Sequence, residues 1–262
     1  MLEEKYKKLD LAIEKYKAAT EKSCYAVKVL TEKPDITDNK FGGKPYLPLG
    51  EKYPTDKDGN PLALLVQINL KDIDLPDWPN EGVLEIFTDA EVGYPCQYAV
   101  KYFLTGQQYQ ENLPDVDTSQ YIVPTGHKIS FEKAVDYMSP NDFRFNELLA
   151  KTFSEVYGEK LNNYGDVCDF FEGDYEWMDR LYDEHGKAPR FTIGGYQDFT
   201  QSDPRDANET LAKKTETLIK FDSTCENGTY MIGDSGILFT FISPEDLRNK
   251  KFENAVVDWD CC

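Results

Sequence analysis

Eight carboxylates crowd one short stretch: Asp166, Asp169, Glu172, Asp174, Glu176, Asp179, Asp183 and Glu184, with His185 directly after them. Carboxylates beside an imidazole are what a metal-dependent hydrolase uses to hold a cation and activate water. The spacing supplies no Asp-x-Asp-x-Asp-Gly frame, so no metal site is assigned. The segment reads first as a solvated acidic face, and next as a docking face for a basic protein partner. Acyl-transfer chemistry fares no better. The chain has two histidines, His127 and His185, and no Gly-x-Ser-x-Gly elbow. His127 ends Pro124-Thr125-Gly126-His127, an evident turn. No catalytic residue and no cofactor are assigned.

Other polar groups suit binding better than catalysis. Two Gly-Gly turns, Gly42-Gly43 and Gly194-Gly195, could cradle an anion, because glycine lets a ligand approach the backbone. Neither carries the Lys-Ser/Thr of a phosphate loop, so both read as tight turns feeding a strand. Gly43 is followed two residues on by Pro45, which stiffens the chain there. Gln201-Ser202-Asp203-Pro204-Arg205 is a polar turn. Its Asp203 and Arg205 suit a clamp on a carboxylate or amide, or a brace for the second Gly-Gly turn. Gln67 and Asn69 stand in an apolar run and require partners, since an unpaired buried amide costs about 1–3 kcal/mol.

Bulk composition limits the choice of partner. Asp plus Glu number 48 against 29 Lys plus Arg, a net charge of −19 over 262 residues. Residues 1–33 hold eight Lys and six acids, so the remainder is more acidic still. Such a body repels nucleic-acid backbones and anionic membranes, and it suits a basic protein. With 40% apolar residues the chain can nevertheless build a core. Its six cysteines are scattered, with no C-x-x-C pair, which argues for reduced thiols in the cytoplasm. The N-terminus has no apolar signal region, and no run is long enough to span a bilayer.

The elements that must position these groups follow from periodicity. Leu2, Tyr6, Leu9, Ile13 and Tyr16 form one stripe of a helix over residues 1–20. Pro and Gly fill 34–62, which predicts turns and extended chain. Residues 62–70, 82–88 and 97–104 read as strands. Ser139-Pro140-Asn141-Asp142 predicts a capped helix start, with Gly158 as its stop. A shorter helix is expected over 175–184.

The pattern then repeats. Phe41-Gly42-Gly43 recurs as Ile193-Gly194-Gly195, Leu64–Asn69 as Thr217–Asp222, Gly82–Phe87 as Gly236–Phe241, and Ala99–Tyr102 as Ala255–Asp258. The triplets Asp89-Ala90-Glu91 and Ser243-Pro244-Glu245 match as well. The expected fold is α+β: two β-rich units over 34–130 and 191–262 in one compact domain. A lead-in helix within 1–33 and helical material over 131–190 complete it.

At this point the chain resembles a known family. Phe41-Gly42-Gly43-Lys44-Pro45-Tyr46-Leu47-Pro48, with Tyr53–Asp56 and Leu65–Asn69, is similar to the opening of the YwqG-like bacterial proteins. Gly194-Gly195-Tyr196 with Phe199–Arg205, and Ile232-Gly233-Asp234-Ser235-Gly236, resemble its later signatures. The family departs from this chain at Gln197 and Ile232. The resemblance implies a duplicated α+β fold and no established activity. It marks Gly42, Gly43, Pro45, Gln67, Asn69, Gly194, Gly195, Gln201, Asp203, Arg205 and Asp234 as signature positions. The expected function is that of a non-catalytic cytoplasmic binding protein with an acidic surface. The alternative is an enzyme or small-ligand binder with its site between the two units.

Overall fold

The computed structural model describes residues 2–89, 97–225 and 229–261. Asp89 is followed by positions outside that set, so the proposed triplet 89–91 falls mostly beyond it, as do Cys96 and Cys262. Ten strands form one antiparallel sheet: β1 (Lys22–Val29), β2 (Lys40–Phe41), β3 (Ala63–Asn69), β4 (Val83–Thr88), β5 (Tyr98–Phe103), β6 (His127–Asp136), β7 (Phe191–Gly194), β8 (Glu216–Asp222), β9 (Ile237–Ile242) and β10 (Val256–Asp260). Their spatial order is β10-β9-β8-β7-β1-β6-β2-β3-β4-β5.

The apolar run at 62–70 predicts β3 correctly, and all seven of its residues are buried. Two central strands were not foreseen. β1 lies in the expected helical lead-in, and β6 straddles the expected boundary at 130. Both are charged along much of their length, as in His127-Lys128-Ile129-Ser130-Phe131-Glu132-Lys133, and that hides the strand signal. They pair along eight residues, from Lys22–Asp136 to Val29–Ile129, and join the two flanks of the sheet.

Alternation places Phe41, Val66, Ile86 and Val100 on the inner face, where they meet Ile193, Leu238 and Val257 in the main core. Phe41 packs against Phe191, Phe221 and Tyr230 with ring centroids 5.1–5.2 Å apart. The sheet curves enough for its edges to approach each other. Tyr102 of β5 packs on Phe252, just before β10, with ring centroids 5.3 Å apart.

A separate helical layer has its own core. The N-terminal stripe forms two helices, α1 (Leu2–Tyr6) and α2 (Leu9–Thr20), broken at Lys7–Lys8. Leu9, Ile13 and Tyr16 bury against α3 (Phe145–Tyr157), as the stripe predicts. Gly158 closes α3 in the left-handed region, φ 73°. The expected start is corrected. Residues 139–144 form turns rather than a first helical turn, because Ser139 spends its hydroxyl on Asp198 and on the Asn141 N–H. Helices α4 (Tyr164–Phe170) and α5 (Glu176–His185) complete the layer, with Val167, Trp177 and Leu181 inward. A short α6 (Glu209–Ala212) precedes β8. Helix α7 (Pro244–Arg248) begins as Ser243-Pro244-Glu245 predicts, with Ser243 accepting from the Asp246 N–H.

Candidate functional site

The signature glycines mark the same place in both flanks of the sheet. Gly42 and Gly43 follow β2 with φ of 72° and 84°; Gly194, which ends β7, and Gly195 have 72° and 79°. Both turns therefore need glycine, as expected. They leave their strands rather than feeding them. Gly43 abuts Gly126, and a Cβ on Gly195 would lie 2.7 Å from Asp136 Oδ2.

Beneath the first turn lies a buried polar row. Antiparallel register aligns Lys40, Gln67, Glu85 and Lys101 across β2–β5, on the face opposite the main core. Gln67 donates to the carbonyls of Ile36 and Asp38. Its Oε1 and Glu85 Oε1 both accept from one donor, the Tyr46 N–H, at 2.8 Å each. Lys40 spreads its ammonium over the carbonyls of Asp35, Ile36 and Lys44. Burial pushes Glu85 up to about 8 against the opposing pull of the Tyr46 N–H and Lys40. Burial brings Lys40 down to about 8, despite Glu85, Asp38 and Asp35. Neighbouring Asn69 donates to Thr37 O and is also fixed.

Beneath the second turn the row runs Thr192, Lys220, Phe239 and Asp258. Here the charge is paired. Lys220 Nζ lies 3.2 Å from Asp136 Oδ2, which also accepts from the Tyr196 N–H. Burial works against the Lys220 charge, but Asp136 and Asp198 raise its pKa. Asp198 accepts from Ser139 at 2.6 Å and meets His185 Nε2 at 3.0 Å. Burial alone would raise Asp198; His185, Lys220 and Ser139 outweigh it and hold it well below the usual carboxylate range. Cys24 packs against this turn, and burial pushes its thiol up to about 12, too high for a reactive thiolate.

The Gln201–Arg205 turn goes elsewhere. It does not brace the second Gly-Gly turn, which Asp136 holds from β6. Arg205 is 2% exposed and reaches Asp203 at 2.7 Å and Asp142 at 3.0 Å. Its guanidinium lies 4.7 Å from the Phe241 ring centroid and 4.9 Å from that of Phe143. Asp203 also accepts from the Phe143 N–H. Gln201 ties to Asp260 and the Cys261 carbonyl near the chain end. Asp234 is exposed in a turn. The signature residues therefore occupy separate neighbourhoods and do not converge on one site.

A family model for a domain of unknown function, DUF1963, matches residues 39–261. The chain belongs to this family. No curated protein matches the chain. The DUF1963 match begins just before β2 and ends just after β10, so it takes in all strands except β1 and the whole helical layer from α3 onward. Among the described residues no group of three or more His, Cys, Asp or Glu side chains is arranged to hold a metal ion, and no helix is long and apolar enough to cross a membrane.

A sizeable concavity of the DUF1963 protein lies outside the sheet. A groove of about 580 Å³ runs between α2 and α5, lined by Ile13, by the acids Asp10, Glu14, Asp183 and Glu184, and by the cations Lys17, Arg180 and Lys187. Asp169, Glu172, Glu176, Asp179 and Asp183 are exposed. Part of this acidity is neutralised: Arg180 pairs with Glu176 and Asp10, Lys5 with Glu172, and Lys17 with Glu184. Among the described residues no ion pair engages Asp169, Asp179 or Asp183.

Proposed function

We propose that this DUF1963 protein is a non-catalytic binding protein whose helical layer receives a basic protein segment along the α2–α5 groove. One observation carries the reading. The polar signature residues Gln67, Asp203 and Arg205 are buried, with their hydrogen bonds made inside the fold. Catalysis needs groups that a substrate can reach, and these are unreachable. Among the described residues the exposed acids Asp169, Asp179 and Asp183 make no ion pair, and Asp183 lines the α2–α5 groove. Charge complementarity then selects a basic partner and acts mainly on the association rate.

The same reading takes the two flanks of the sheet as copies of one ancestral unit. Its support is the matching order β2-β3-β4-β5 and β7-β8-β9-β10, with a bulge in β3 between Leu64 and Val66 and another in β8 between Thr217 and Lys220. A cytoplasmic home fits the free thiols of Cys24 and Cys168.

The test is a titration with a lysine-rich peptide across a salt series. Binding should weaken steeply as the Debye length falls from about 10 Å at 0.1 M to about 3 Å at 1 M salt. Reversing Asp179 and Asp183 to Lys should lower the on-rate, whereas reversing Asp58 and Asp117 on the far side should not. Equal effects from both pairs would defeat the reading.

A further inference from the structure

We propose that the first flank of the sheet binds a small hydroxycarboxylate in a cavity at the end of β3, with Lys71 holding the carboxylate and Asn69 reading the hydroxyl. The cavity measures about 210 Å³, and Thr37, Asn69, Lys71, Val83 and Thr105 line it together with Tyr46. A cavity of about 150 Å³ holds benzene, so this one has room for a small organic acid. Its charge stands apart from the rest of the molecule. The chain carries 48 acids against 29 Lys and Arg, yet no carboxylate lines this cavity. Lys71 is exposed and makes no ion pair among the described residues, so its ammonium is open to an anion. One cation matches a carboxylate better than a doubly charged phosphate.

The lining groups have capacity left over. Asn69 stands two residues from Gln67 on β3, hence on the same face. Gln67 spends its whole carboxamide inside the fold, whereas Asn69 uses one amide hydrogen, on the Thr37 carbonyl at 2.9 Å. That bond fixes which way the amide faces. Its other hydrogen and its Oδ1 have no partner among the described residues, although Asn69 is only 7% exposed. A nearly buried amide left half used is uncommon. A ligand with an acceptor beside a donor completes it: a carboxylate oxygen accepts the amide hydrogen, and a hydroxyl on the adjacent carbon donates to Oδ1. The hydroxyls of Thr37 and Thr105 make no hydrogen bond among the described residues and offer the carboxylate further donors. Tyr46 spends its hydroxyl on Gln107, so with the buried Val83 it leaves an apolar wall for the carbon skeleton. The second flank has no counterpart. Asp222 pairs with Ile237 as Asn69 pairs with Val83, but it is an acid already held by Arg190 and Thr224.

The test is NMR of the full chain at constant ionic strength, titrated with lactate, with propionate, which lacks the hydroxyl, and with lactamide, which lacks the charge. Lactate should shift the Asn69 side-chain amide and the backbone of residues 105–106 at millimolar concentration. It should bind about tenfold more tightly than either analogue, the return on one hydrogen bond or one charge contact. Lys71→Met should weaken lactate about tenfold, to the level of lactamide, and leave lactamide unchanged. Asn69→Ala should erase the preference for lactate over propionate. If that variant fails to fold, Lys71→Met decides, because Lys71 is exposed and its loss leaves the fold intact. Absence of lactate shifts at these residues, equal binding of lactate and either analogue, a preference over propionate that survives Asn69→Ala, or a lactate affinity unchanged by Lys71→Met would each overturn the proposal.

Discussion

The two flanks of the sheet solve one problem in opposite ways. Each places a buried polar row under a Gly-Gly turn, in a strand that carries a bulge. In the second flank the row is ionic. Lys220, Asp136, Asp198 and His185 balance one another, and His185 belongs to α5, so the network fastens the helical layer to the sheet. In the first flank the row is only half satisfied. Glu85 and Gln67 compete for one N–H, and Lys40 looks away to backbone carbonyls. A closed network fixes position; an open one leaves a buried group unmatched. The same backbone thus supports a fastener on one side and an unmatched carboxyl oxygen on the other.

The sharpest way to probe that contrast is to cut buried ion pairs where they exist. Arg205→Ala should cost about 3–5 kcal/mol, because Asp203 is left charged and buried with no cation paired to it, beside an Asp142 that keeps only Arg144. Urea unfolding measures it, and a loss near zero would show that water reaches the site. Asp198→Ala should cost about 2–3 kcal/mol and loosen α5, read as faster amide exchange in residues 176–185. The counterpart in the first flank should behave oppositely. Glu85→Leu should be nearly neutral at pH 7, since it removes a carboxyl that is already neutral and unsatisfied.

Titration sharpens the same comparison. Glu85 has a folded value of about 8 against an ordinary 4.5, so the folded state holds a proton that the unfolded state has lost across that window. Its contribution is complete below about 4.5 and is lost as pH rises towards 8, by at most about 1.4 kcal/mol per pH unit. Lys40 is depressed from 10.5 to about 8, so its effect has the reverse slope, with stability regained between 8 and 10.5. The first flank should show a stability minimum near pH 8, and Glu85→Gln should abolish the falling limb. Asp198 and Asp142, both held low, contribute stability that is lost only in acid. A stability curve unchanged by Glu85→Gln would mean that water reaches Glu85.

Smaller effects follow at the turns and the surface. Gly195→Ala should cost more than Gly43→Ala, because its Cβ meets a carboxylate oxygen at 2.7 Å rather than a backbone carbon at 3.1 Å. Each should exceed about 1 kcal/mol on account of the positive φ. Asp179→Lys should change the melting transition hardly at all, within about 0.5 kcal/mol, since the side chain is exposed and unpaired among the described residues.

Much was legible in the sequence because it is local. Apolar runs declare β3, β4, β8 and β9, since buried strands need apolar residues on both faces. Glycine pairs declare left-handed turns, and Ser243-Pro244 declares the start of α7, through rules spanning only a few residues. Tertiary structure alone decided the rest. β1 and β6 are amphipathic charged strands that pair with each other across about a hundred residues, so nothing near them in sequence announces the ladder. Asp203 and Arg205 are visible as a pair, but only folding shows that Asp142 and the rings of Phe143 and Phe241 enclose them. Glu85 reads as one charge in an apolar strand. Its neutrality comes from desolvation and from the partners it does not have, and both are properties of packing.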